Sequence, residues 1–141
     1  MSNNIYPIWK KALLDDSSGA NANLNETGAE GTFALLIDTG VYSYSDVHDF
    51  FNDLSGVVGE ATGKEITNPT TAIGVFDGDN VTFSSVSGNT VEAIVIYRKN
   101  AGANTTHYLC AFIDTGVTGL PVTPNGGDIT ITWNGSGIFE L

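Results

Sequence analysis

The stretches LIDTGV at Leu36–Val41 and FIDTGV at Phe112–Val117 differ in one letter, and each closes an apolar run with Asp-Thr-Gly. Two carboxylates held together share one proton, and the pair can activate a water molecule for attack on an amide. Asp38, Thr39 and Gly40, with Asp114, Thr115 and Gly116, are therefore the residues whose types and spacing first suggest chemistry. The same residue types also end a strand in a turn. Asp and Thr side chains bond nearby backbone N–H groups, and glycine supplies a positive φ.

The turn is the better reading. A two-lobed aspartic protease needs a cleft between lobes, whereas 141 residues are mass for one domain. A single-lobe enzyme of this size builds its site from one Asp-Thr-Gly per subunit, which leaves the second copy idle. In aspartic proteases the residue after the glycine is usually Ser, Thr or Ala; here it is Val41 and Val117. The six residues are read as structural turns and no catalytic residue is assigned. A small aspartic protease using Asp38 and Asp114 is kept as a remote alternative.

The other candidates are weaker. FDGDN at Phe76–Asn80 places Asp77, Asp79 and Asn80 as hard oxygen donors in a glycine-containing turn, which could suggest calcium. An EF-hand loop needs a glycine at its sixth position and a glutamate at its twelfth, and neither is in place, so a tight turn is expected. His48 and His107 are the two histidines, and no Cys/His spacing suits zinc. No phosphate-binding glycine motif and no Gly-x-Ser-x-Gly occurs. No metal and no cofactor is expected.

The elements that carry these residues read as strands. TFALLIDTG, AIGVFDGDNVTFSSV, TVEAIVIYRK, HYLCAFIDTG, DITITWNG and a terminal GIFEL are apolar or alternating runs between Gly/Asn/Ser turns. DITITW alternates, with Ile129, Ile131 and Trp133 on one face and Thr130 and Thr132 on the other. VEAIVIY is nearly continuous and predicts a central strand covered on both faces. Ser45 ahead of DVHDFFNDL predicts a short helix with Val47, Phe50, Phe51 and Leu54 on one side. A second is predicted over Ile5–Leu14, with Pro7 near its start. The expectation is a mainly β protein of five to seven strands: an antiparallel β-sandwich or small barrel, one or two short helices and an N-terminal arm. Residues 1–16 read as the arm, 17–31 as a flexible Gly/Asn/Ser linker, and 32–141 as a single β-rich body.

Composition removes several function classes. Sixteen acids against five bases give a net charge of −11, so the basic stripe that nucleic acid requires is missing. No apolar run approaches a membrane helix. The first residues lack the order of a signal peptide, and synthesis in the cytoplasm is expected. Cys110 is the one cysteine; its setting in YLCAFID predicts a small buried side chain. The arm is harder to dismiss. Ile5, Tyr6, Pro7, Ile8 and Trp9 precede Lys10 and Lys11 ahead of the linker, a composition suited to anchoring on a partner or to packing on the chain's own body.

Several blocks in order carry a resemblance: IYPIWKKALL, ALLIDTGVYSYSDVHDFFNDLSGVVG, GVFDGDNVTF, VEAIVIYRK and AFIDTGVTGLPVTPNGGDITITWNGSGIFEL. Together they resemble small virion structural proteins of tailed bacteriophages, over nearly the whole chain. The resemblance implies a non-enzymatic part of the particle, most simply a capsid decoration (cement) protein on the outer surface of the head. Its partners would then be the major capsid protein and neighbouring copies of itself, as a homo-oligomer for which a trimer is the guess. Ile5–Lys11 would make the contact, with Trp9 as anchor. A tail or fibre component, an adaptor or host-binding module, is the alternative.

Overall fold

The computed structural model describes residues 3–15 and 23–141. With 33% strand and 13% helix the fold is mainly β, built of antiparallel sheets that do not close into a barrel. The strands are β1 (Asn4–Ile5), β2 (Thr32–Ile37), β3 (Val57–Val58), β4 (Lys64–Glu65), β5 (Thr70–Ala72), β6 (Val75–Asp77), β7 (Val81–Phe83), β8 (Ala93–Arg98), β9 (Leu109–Ile113), β10 (Ile129–Ile131) and β11 (Phe139–Glu140), with one α-helix, α1 (Pro7–Leu14). The count exceeds the expected five to seven because several elements are pairings of only two or three residues.

The main sheet runs β1-β9-β8-β2-β3, and β4 also pairs with β2. Its centre is made of the three continuous apolar runs, TFALLI, AIVIYR and LCAFI. Every residue of β8 and β9 is buried, as strands covered on both faces require. The β8–β9 register shifts between Ile96 and Tyr97, which leaves Cys110 as the extra, bulged residue. That cysteine is buried, as its setting predicts, and burial pushes its thiol well above the ordinary range. Two smaller sheets, β10-β7 and β11-β6-β5, complete the body. In β10 the expected alternation holds: Ile129, Ile131 and Trp133 point inward and Thr130 and Thr132 outward.

Two expectations fail. The first is the helix after Ser45. Only Phe51–Asp53 forms a single 3₁₀ turn. The backbone donors go elsewhere: the N–H groups of Asp49 and Phe50 to Asp53 Oδ2, and that of Phe51 to the His107 carbonyl. The Asp49 carbonyl accepts from Leu109 N–H, and Phe50 bridges Tyr108. The start of β9 thus recruits the segment as an edge, and a buried sheet edge outbids weak local helix propensity. Val47, expected on the buried side, is 76% exposed.

The second is the arm's separateness, to which packing on the chain's own body is the alternative the sequence leaves open. Residues 3–15 do not stand apart from the body. Asn4 and Ile5 pair with Phe112 and Ala111, Tyr6 N–H bonds the Cys110 carbonyl, and Tyr6 and Trp9 are fully buried. Pro7 sits in the first turn of α1, where its missing N–H is tolerated. Of the expected linker, residues 17–22 lie outside the described residues, while 23–31 are tied down. Leu24 is buried, Asn25 Nδ2 bonds Thr71 Oγ1 at 2.9 Å, and Glu26 pairs with the buried Arg98.

Candidate functional site

β2 and β9 flank β8 and run the same way, so both Asp-Thr-Gly turns leave one end of the main sheet. One strand lies between them, which sets their backbones about 10 Å apart. Asp38 is buried and spends both carboxylate oxygens: Oδ1 accepts from Gly40 N–H and Oδ2 from Asn89 Nδ2, each at 2.7 Å. Thr39 N–H and Oγ1 donate to Glu92 Oε2 at 3.0 and 3.3 Å. The second turn is closed by the N-terminal segment. Asn3 Oδ1 accepts from Asp114 N–H at 3.0 Å and from Thr115 N–H and Oγ1 at 3.2 Å. The echo is one of sequence: the two turns differ in backbone conformation and are closed by different partners, and while Asp38 spends its oxygens on Gly40 and Asn89, Asp114 Oδ1 is buried with no hydrogen-bond partner among the described residues. Only Gly116 has a positive φ, +78°. At Gly40 the space is tight instead: a Cβ there would sit 3.0 Å from Asp38 Oδ1, which would have to give by a few tenths of an ångström.

FDGDN also spends its oxygens locally. Asp77 Oδ1 accepts from Gly78 N–H at 2.9 Å, Asp79 Oδ2 from Thr67 Oγ1 and Asn68 Nδ2 at 2.9 and 2.5 Å, and Asn80 Oδ1 from Trp133 N–H at 3.0 Å. Among the described residues no group of three or more His, Cys, Asp or Glu side chains is gathered to hold a metal.

The histidines separate. His107 is buried, stacked on Tyr97, with Nε2 near the carbonyls of Asn100 and Gly102 at 3.2 and 3.1 Å. His48 ends a row of hydrogen bonds, Tyr6 OH to Tyr42 OH to His48 Nδ1, each 2.8 Å long. Burial, then the hydrogen bond to Tyr42, pushes the Tyr6 phenol far up, and burial also raises Tyr42. Beside this row Asp49 and Asp53 divide their burden. Burial and the neighbouring Asp53 raise Asp49. Burial would raise Asp53 too, but the N–H groups of Asp49 and Phe50 bring it below the usual range.

The expected partner contact, Ile5–Lys11, is mostly consumed by the fold. Tyr6 and Trp9 are buried, Ile5, Pro7 and Ile8 half-buried, and of the exposed lysines Lys11 is paired with Asp15. Trp9 stands edge-on against Phe139 at 5.8 Å, so the anchor role is spent inside the chain. What remains outside is further along. Leu14 is 88% exposed, Leu141 58% and Ile73 100%. Lys10, Leu13, Leu14 and Leu141 line a groove of about 240 Å³. Leu141 N–H bonds the Gly74 carbonyl at 3.0 Å, which brings the hairpin tip beside that groove. In the two-residue turn joining β5 to β6, Ile73 has φ +54° and Gly74 φ +82°. Such turns want Asn-Gly. A β-branched residue in the left-handed region costs about 1–2 kcal/mol, and here it gains no burial in return.

Sequence reasoning missed Ile73, Leu14 and Leu141. The available signal was Ile-Gly in a hairpin position, inside the uncharged run Ile66–Phe76 of an otherwise acidic chain. Compared with known proteins, the sequence matches no family model and no curated protein.

Proposed function

We propose that this chain is a non-enzymatic structural protein of a tailed-bacteriophage particle, and within it a decoration protein on the outer surface of the head. The observation that carries the reading is where the exposed apolar side chains lie. Ile73, Leu14 and Leu141 form one set, and Val41 and Val47, 57% and 76% exposed in the loop after β2, form a second. Large apolar groups kept in water at more than one place suit a protein that touches several neighbours. Of the residues that could have done chemistry, Asp38, Asp77, Asp79 and Asn80 spend side-chain oxygens on turns and neighbouring strands. A net charge of −11 suits an outer surface better than a DNA-filled interior. The block-by-block resemblance to virion structural proteins supports the same reading. The mechanism is mass action: a protein that binds only the assembled shell stabilises it, and many copies per shell add avidity.

Co-sedimentation tests this. Purified protein is mixed with expanded shells that lack it, and the pelleted fraction is measured against concentration. Saturation at a fixed copy number per capsomer is expected. No pelleting with shells, but recovery with purified tails, would move the protein to the tail.

A further inference from the structure

We propose that Ile73 is the knob of a two-fold contact between two copies of this chain, seated in the partner's groove between Lys10, Leu13, Leu14 and Leu141. Knob and groove lie side by side, because Leu141 lines the groove and its N–H is bonded to Gly74, the residue after Ile73. A two-fold axis passing between them puts each Ile73 into the opposite groove. The contact is isologous and closes at two copies instead of growing into a filament. The groove, about 240 Å³, has room for a sec-butyl side chain.

Charge favours a second copy at this face. Two chains at −11 each repel over most of their surfaces, but the knob belongs to the uncharged run Ile66–Phe76. Lys10 rims the groove, and the exposed Glu140 lies opposite Val75, two residues from the knob. Among the described residues neither Lys10 nor Glu140 has an ion-pair partner. The two-fold operation that inserts Ile73 carries Glu140 of one copy toward Lys10 of the other, twice. The contact is smaller than a standard protein–protein interface, so a dissociation constant of about 0.1–1 mM is expected in dilute solution. It becomes strong where copies are held close together. The pairing does not depend on the particle reading.

Sedimentation equilibrium of the pure chain, loaded from about 10 μM to about 1 mM, is the test. The parent is expected to show a reversible monomer–dimer equilibrium. Ile73→Asn removes the knob and suits the left-handed turn. It should weaken dimerisation by about tenfold or more while leaving the melting temperature unchanged or higher, an outcome a merely structural residue would not give. Leu14→Gln should weaken it at the groove. Lys10→Glu and Glu140→Lys should each weaken it by about two- to fivefold, and the two together should restore it. A parent that stays monomeric throughout overturns the proposal, as does undiminished dimerisation of Ile73→Asn. If Ile73→Asn abolishes dimers but Leu14→Gln and Lys10→Glu leave them intact, the knob docks elsewhere and the proposed groove is wrong.

Discussion

Replacing Trp9 separates a detachable arm from an integral first element. The side chain is fully buried and packs edge-on against Phe139 at 5.8 Å with an interplanar angle of 88°. Its Nε1–H is buried with no hydrogen-bond partner among the described residues. Trp9→Ala removes the whole indole from a packed core, which costs about 3–5 kcal/mol. For a domain of this size 1 kcal/mol moves the melting temperature by about 3 °C, so a fall of about 9–15 °C is expected. Trp9→Phe behaves differently. It keeps a ring against Phe139 and loses about 1 kcal/mol of apolar burial. It also removes an unsatisfied donor whose burial costs about 1–3 kcal/mol. The two effects offset, and Trp9→Phe should lie within about 1 kcal/mol of the parent. Urea unfolding followed by far-UV circular dichroism gives both numbers from the midpoints, provided the slopes stay equal. A Trp9→Ala variant as stable as the parent would refute the packing of residues 3–15 on the body. A Trp9→Phe variant as damaged as Trp9→Ala would refute the unsatisfied indole.

Three further outcomes follow from particular contacts. Arg98 is 1% exposed and its ionic partner Glu26 is 43% exposed. Glu26→Ala should therefore cost about 1–3 kcal/mol in urea unfolding, less than the loss of a fully buried partner because water takes up part of the charge. Arg98→Met, which buries no charge, should be milder. Gly63 has φ +69°, and a Cβ there would stand 2.1 Å from the Ala34 carbonyl oxygen. Gly63→Ala must then displace β4 from β2, and hydrogen exchange should show lost protection at Ile66 N–H, which bonds the Thr32 carbonyl. Asp49 is raised in the folded state by burial and by Asp53, so its ionisation destabilises the fold and stability is lost as pH rises through its titration. Asp49→Asn should melt higher than the parent at neutral pH. The gain should shrink as pH falls below the ordinary carboxylate range, where both chains carry a neutral group; a gain that is constant with pH would contradict this.

The parts legible in the sequence are those fixed by burial along one strand. TFALLI, VEAIVIY and LCAFID are continuous because both faces are covered, and DITITW alternates because one face is wet. Such patterns are local, and they survive without knowledge of the neighbours. The segment 45–54 fails for the opposite reason. Its Ser cap and apolar spacing are sound helix signals, but the N–H of Phe51 finds the His107 carbonyl, 56 residues away by number, and no local pattern encodes that. The linker misled in the same way. Its glycines and asparagines conceal Leu24, which fills the core, and Glu26, whose partner Arg98 lies 72 residues on. Once 23–31 is anchored and β1 pairs with β9, Tyr6 and Trp9 belong to the body, and of the two readings open for the aromatic cluster, a partner anchor or packing on the chain's own body, the second holds for these two residues.

The same contrast bears on function. Asp38, Asp77, Asp79 and Asn80 look chemical in the sequence, yet each spends side-chain oxygens on a turn or neighbouring strand, and that is a complete reason for its presence. Ile73 has no such reason. It is fully exposed, it holds a backbone conformation that Asn would take at lower cost, and nothing among the described residues covers it. Where propensity, burial and turn chemistry agree, a residue is explained by the fold; where all three disagree, the residue motivates a functional hypothesis. By that criterion the informative residue is an isoleucine on a hairpin tip rather than Asp38 of the repeated turn.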